Sequence, residues 1–194
     1  MPKVSRVLGL HLSPNKKGTS RVLLDKFANG VVEAGSEFTL LSISDYPNLS
    51  GCVACGACSK TGQCRITDDM EVFYQAFDEN VKIVVASSLF FYDVPAQGKA
   101  VIDRSQAYWS RRYVLGQNQT GKEGAKGFLL AVGATKGKDL FTPVSLSVKY
   151  FFDALAFPKK FGTLFFKSLE GPADISEEQF LQTRAAGFEF GSPF

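Results

Sequence analysis

Two stretches of this chain, Lys82–Phe91 and Gly127–Gly133, carry continuous apolar runs. A strand with one face in water alternates polar and apolar residues. These two instead read as strands covered on both faces, as in a parallel sheet. Three further segments fit the same sheet: Val4–Leu12, the alternating Glu37–Ile43, and Gly162–Lys167. Between them lie segments of helical periodicity. One places Leu24, Phe27, Val31 and Ala34 on a single face and is capped near Thr19 or Ser20. Another opens at the capping-box pattern Asp68-x-x-Glu71, with Met70, Phe73 and Phe77 on one side. A third runs from Pro95 toward Trp109, a fourth from about Thr142 to Leu155, and a last one follows the cap Ser176-x-x-Gln179. Strands alternating with helices predict an α/β fold, a parallel sheet with helices on both faces.

The chain has 194 residues. At about 150 residues per domain this is one domain, 1–194, able to bury a sizeable core. A formal charge of +3 gives too weak a field for a nucleic-acid binder, so no nucleic-acid partner is expected. The single histidine, His11, excludes multi-histidine metal sites, and as one polar ring at a strand end it reads as a satisfied, partly buried side chain. The apolar start is broken by Arg6 and His11, unlike a signal peptide, and no stretch of about 18 apolar residues offers a membrane span. A cytoplasmic, reducing setting is therefore expected, in which the Asn118-Gln119-Thr120 sequon means nothing. From Gly171 onward, Arg184 stands against Asp174, Glu177, Glu178 and Glu189, which predicts a solvated acidic helix.

Three strand ends carry the chemistry. The first delivers Ser13-Pro14-Asn15-Lys16-Lys17-Gly18-Thr19-Ser20 into a helix N-terminus. Unpaired N–H groups and the helix dipole there attract a phosphate, or the turn is an ordinary Ser/Thr cap. The second end, Ser87-Ser88-Leu89-Phe90-Phe91, offers an aromatic wall, and the third, Gly133-Ala134-Thr135, permits close backbone approach. In open α/β sheets ligands bind outside such carboxyl ends, here in a slot suited to a flat ring bearing a phosphate.

All four cysteines fall in the Pro- and Gly-flanked segment 51–66, as Cys52, Cys55, Cys58 and Cys64. This spacing brings three sulfurs around one small volume, and Gly62 lets the chain turn to deliver the fourth. Two well-separated pairs would suggest structural zinc; this tight set favours a [4Fe–4S] cluster, with zinc or free thiols as alternatives. Lys60 and Arg65 stand beside it to offset its charge. The segment Tyr108-Trp109-Ser110-Arg111-Arg112-Tyr113 faces a nicotinamide phosphate, a neighbouring subunit or simply solvent within a loop at 110–126.

With these motifs in order, the chain resembles the flavodoxin-like NADPH-dependent FMN reductase family, in its iron–sulfur flavoprotein branch. The family's phosphate loop is met by Ser13 through Ser20. Its flavin loop is met by Ala86 through Phe91 followed by Ala96-Gln97-Gly98-Lys99-Ala100-Val101-Ile102-Asp103-Arg104. Its compact cysteine motif with an aspartate pair is met by Cys52 through Cys64 and Asp68-Asp69-Met70. The resemblance implies a doubly wound, five-stranded parallel sheet of order 2-1-3-4-5. It implies FMN held at the phosphate by Ser13, Asn15, Thr19 and Ser20, with Lys16 and Gly18 in the same loop. Ser88, Leu89, Phe90 and Phe91 would flank the ring, with Gly133, Ala134 and Thr135 at its edge, and the four cysteines would ligate the cluster. An oxidoreductase passing electrons between NAD(P)H or a ferredoxin-type donor and a small acceptor follows, as a homodimer or homotetramer, with no catalytic side chain named. A non-enzymatic flavodoxin-like carrier is the alternative. The chain departs from the pattern at Asn15, Ser88, Phe90 and Tyr92, where Arg, Pro, Tyr and Gly are usual; Tyr92 bears on access to the ring.

Overall fold

A computed structural model describes residues 5–117 and 123–192. The sequon at Asn118 and the residue Val4 lie outside them. Five strands form one parallel sheet: β1 (Arg6–His11), β2 (Glu37–Ser42), β3 (Lys82–Ser88), β4 (Lys126–Gly133) and β5 (Gly162–Lys167), in the order 2-1-3-4-5. This is the flavodoxin-like arrangement expected from the sequence, with its switch point between β1 and β3. β3 and β4 are buried along almost their whole length, which is why their sequences do not alternate.

One face of the sheet is covered by α1 (Thr19–Glu33) and α7 (Glu177–Gly191), which enclose Val7, Leu24, Phe27, Val84, Leu130 and Phe190. The other face meets α3 (Met70–Glu79), α4 (Ala96–Arg104) and α6 (Thr142–Ala154), around Leu10, Phe73, Phe77, Ile83, Leu129 and Phe152. The many phenylalanines are used here: Phe27, Phe128 and Phe190 form one tilted cluster, and Phe77, Phe151 and Phe152 extend another. Between β2 and α3 the single turn α2 (Cys58–Thr61) interrupts the cysteine segment, and α5 (Gln106–Trp109) continues α4.

Four expectations change. β3 ends at Ser88, so Leu89–Phe91 leave the sheet although the apolar run continues. The cap of α1 is Gly18, and Thr19 and Ser20 are its first, buried residues. Asp68 and Glu71 do not close a capping box: the N-cap of α3 is Asp69, and the Asp68 carboxylate, which accepts the Met70 N–H at 3.0 Å, is also paired with Arg104. The acidic last helix is not merely solvated: a Cβ on Gly187 would overlap the Phe27 carbonyl of α1, and one on Gly30 the Arg184 carbonyl of α7. The two helix backbones touch because these residues lack side chains. Ser176 does form its predicted box with Gln179.

Candidate functional site

The carboxyl ends of β1, β3 and β4 finish in step. His11 pairs in register with Ala86, the Leu12 N–H reaches the Ala86 carbonyl at 2.9 Å, and the Leu89 N–H reaches Val132 at 2.9 Å. The loops after all three strands therefore open on one rim.

After β1 the chain makes a tight turn. The Asn15 side chain accepts the Lys17 N–H at 3.0 Å, and the Gly18 N–H donates to the Asn15 carbonyl at 3.2 Å. The Asn15 N–H meets the buried Ser13 hydroxyl at 3.4 Å. Gly18 has no side chain with which to cap α1, so no N-cap side chain meets the first N–H groups of the helix. Lys16 is turned to Asp45, at 2.6 Å with both partly exposed, and leaves the loop's positive charge to Lys17.

Ser20 is buried, and its hydroxyl lies 3.1 Å from His11 Nε2 and accepts from Ser88 at 3.1 Å. His11 Nδ1 lies 3.0 Å from the Ser42 hydroxyl, which meets Ser44 at 2.9 Å. Five side chains thus link β2, β1, α1 and β3 beneath the rim. His11 is fully enclosed, as a satisfied histidine, and burial together with the Arg21 charge lowers its pKa from 6.5 to about 4.

The loop after β3 is a tight reversal. The Phe90 N–H donates to the Asp93 carbonyl at 2.8 Å and the Asp93 N–H returns to Phe90 at 3.2 Å. Phe91 and Tyr92, the two central residues, both have positive φ, 50° and 70°, where glycine or asparagine normally sits. The strained turn holds Phe91 fully in solvent and Phe90 half exposed. Tyr92 reaches across to the third loop: a Cβ on Gly137 would lie 2.8 Å from its hydroxyl. Ala134 and Thr135 are exposed there, while Gly133 is buried against Leu140 with Leu89 nearby. The structure thus brings Ser20 to Ser88, and Tyr92 to the Thr135 loop. Phe90 and Phe91 stand free at the rim.

The four cysteines line one cavity of about 410 Å³ together with Val53, Ile66, Arg104 and Ala107. All four thiols are free, Cys52 and Cys55 exposed, Cys58 and Cys64 partly covered. No three potential ligands among the described residues converge on a point for a single ion. Arg104 organises this wall. Its Nη1 meets both Asp68 oxygens and the Ser50 carbonyl, and its Nη2 meets the Ile66 carbonyl at 2.8 Å and Cys64 Sγ at 3.5 Å. Its Nε is buried with no partner among the described residues. Burial alone would raise the Asp68 carboxyl, but Arg104 and the N–H groups of Ser50 and Met70 hold it below the usual range. Ser110 meets Cys58 Sγ at 3.5 Å, and Arg111 holds the Gly62 carbonyl at 2.7 Å. Gly62 takes φ 73°, and a Cβ there would lie 2.8 Å from the Arg111 side chain.

The basic segment from Tyr108 is therefore no solvated loop. A π-helical turn, Ser110–Val114, directs Arg111 to the cysteine loop and Arg112 to the Asp153 carbonyl at 2.5 Å. Sequence reasoning gave no role to Arg104 and read Asp68 only as a helix cap, although both stand in quoted motifs; the signal was an arginine ending an apolar helix face.

The description "NADPH-dependent FMN reductase" belongs to the family whose model matches residues 5–138. An iron–sulfur flavoprotein of Methanocaldococcus jannaschii is 32% identical over 101 residues, 52% of this chain and 52% of that protein. The chain thus matches about half the length of this curated relative. The NAD(P)H:quinone oxidoreductase from Methanothermobacter marburgensis superposes with a TM-score of 0.73 at 18% identity, covering 96% of this chain and 98% of that one. An FMN-dependent NADH-azoreductase from Bacillus anthracis, solved with FMN, gives 0.67 at 12% identity over 97% and 100%. At these identities the two structures show a shared fold. Spanning β1 to β4 and the loops that follow them, the family match makes this chain a member of the NADPH-dependent FMN reductase family.

Proposed function

We propose that the chain is an FMN-dependent oxidoreductase that takes electrons from NAD(P)H or a ferredoxin-type donor and delivers them to a small acceptor. The observation that carries this reading is the common rim: three parallel strands end in step beside an uncapped helix start. Ser13, Asn15, Thr19 and the first N–H groups of α1 would hold the phosphate. Phe90, Phe91 and Tyr92 would bound the ring on one side and Ala134 and Thr135 on the other. FMN supplies the redox chemistry when bound, and the protein supplies position and electrostatics.

Four free thiols share one largely apolar cavity, a donor set that suits an iron–sulfur cluster. A buried Arg104 Nε with no partner among the described residues stands in its wall and suits an anionic group. Cys52, Cys55, Cys58 and Cys64 would hold a [4Fe–4S] cluster, which exchanges single electrons. Exposed Phe91, Trp109 and Tyr150 favour assembly as a homodimer or homotetramer.

Anaerobically purified protein should oxidise NADH or NADPH with a quinone or ferricyanide as acceptor, and should contain iron with acid-labile sulfide. Bound FMN without turnover, but with rapid exchange with ferredoxin, would make it a carrier. Zinc without sulfide would retire the cluster.

A further inference from the structure

The buried chain of hydroxyls beneath the rim has a direction. Ser88 donates to Ser20 Oγ, and the other polar atom within reach of that oxygen is His11 Nε2. A hydroxyl that accepts from Ser88 has its own hydrogen to place, and Nε2 is where it goes. The imidazole is then the Nδ1–H tautomer, donating to Ser42, whose oxygen lies 2.9 Å from the Ser44 hydroxyl. Each bond in the row orients the next.

At the rim the consequence falls on Ser88, which is only partly buried while Ser20 is enclosed. With its hydrogen committed inward, Ser88 presents only lone pairs outward. Resting on the FMN reading above, we propose that His11 is a positioning residue which, through Ser20, makes Ser88 a hydrogen-bond acceptor for an O–H or N–H group of the bound flavin nucleotide. Neither Ser20 nor Ser88 is then a phosphate donor. That task stays with Ser13, Asn15, Thr19 and the N–H groups of α1.

The charges around the ring keep this polarity fixed. Arg21 and Asp25 on α1 and Asp45 after β2 act on it in opposite senses, and burial holds the imidazole neutral. A neutral ring has one N–H and one lone pair, so the row runs in one direction at a time, the one set by Ser88 donating inward. A bound O–H or N–H donor would polarise Ser88, then Ser20, and strengthen the bond to Nε2.

His11 is the only histidine in the chain, so ring-15N-histidine labelling reports on this site alone. The full chain should show one Nδ1–H tautomer from pH 5.5 to 8. Saturating FMN should shift Nε2 in the sense of a stronger accepted bond, with Nδ1 moving less. Ser20→Ala should abolish that shift while weakening FMN binding, read by flavin fluorescence quenching, by less than 10-fold. An Nε2–H tautomer or a rapidly averaged pair, before any FMN is added, would overturn the relay. FMN binding that leaves Nε2 unmoved would also overturn it while the FMN reading stands. Failure of FMN to bind wild-type protein would sink both, and the two failures are told apart by the fluorescence titration. Thermal melts of Ser20→Ala separate misfolding from a lost bond, and Ser20→Thr, which keeps the hydroxyl, should restore the shift.

Discussion

Both carboxylate oxygens of Asp68 meet a single nitrogen of the buried Arg104 guanidinium, at 2.6 and 2.5 Å, across 36 residues of sequence. The pair pins the end of α4 to the segment that carries the cysteines. Asp68→Ala would leave the guanidinium enclosed without its counter-charge. A loss of about 3 kcal/mol in denaturant-derived stability is expected. Adding Arg104→Met should recover much of that loss, because an apolar side chain there needs no partner. Equal losses in the single and double variants would contradict this reading.

Protonation of His11 should cost stability in a defined window. Its pKa falls from 6.5 to about 4 on folding, so between those values the unfolded chain binds the proton and the native chain does not. Stability is then constant above about pH 6.5 and declines by about 3 kcal/mol as pH falls toward 4. Asp68, held below the usual carboxylate range, adds its own loss only at lower pH, as its carboxyl takes a proton. Urea titrations from pH 4 to 8 should show the slope, and His11→Gln should flatten it. An unchanged slope in the variant would place the titrating group elsewhere.

The contact between α1 and α7 should tolerate no side chain at its centre. Gly187→Ala drives a methyl group into the Phe27 carbonyl, and a loss of about 3 kcal/mol is expected from such overpacking. Gly171→Ala, where nothing lies within 4 Å, should melt within a degree or two of wild type. Similar melting of the two variants would show that the helices are not in contact as described.

Phe91 is held in a left-handed conformation while contributing no burial. Phe91→Gly should therefore raise stability by about 1 kcal/mol, by removing backbone strain at no packing cost. If the strain is kept for ligand contact, the same variant should bind FMN several-fold more weakly. Higher stability with unchanged affinity would reduce the turn to a structural oddity.

Much of the fold was legible because parallel strands covered on both faces leave unbroken apolar runs, as in β3 and β4. The strand ends were less so: Leu89–Phe91 are as apolar as the strand, and only tertiary placement separates them from it. Long-range pairing was illegible too. Nothing local to Asp68 says that its carboxylate serves Arg104 as well as the first N–H of its own helix. The packing of α7 was hidden because its contact face is built of Thr183, Gly187 and Gly191 rather than apolar periodicity. At the rim, the sequence located the loops but not the row of hydroxyls beneath them. His11, read as a satisfied histidine, turned out to be the hub of that row.

Cys58 and Cys64 sit where the cavity meets the helices that frame it, each with its sulfur near a side-chain donor. Cys58→Ser should remove iron and acid-labile sulfide from anaerobically purified protein and leave its flavin content largely intact. Loss of flavin together with iron would mean that the cysteine segment shapes the rim itself.

The most direct measurement is the chromophore released by heat. Protein prepared without oxygen in FMN-supplemented medium, then boiled and clarified, should yield close to one riboflavin 5′-monophosphate per chain in the supernatant. A colourless preparation that releases none would contradict the assignment of the shared rim to a flavin.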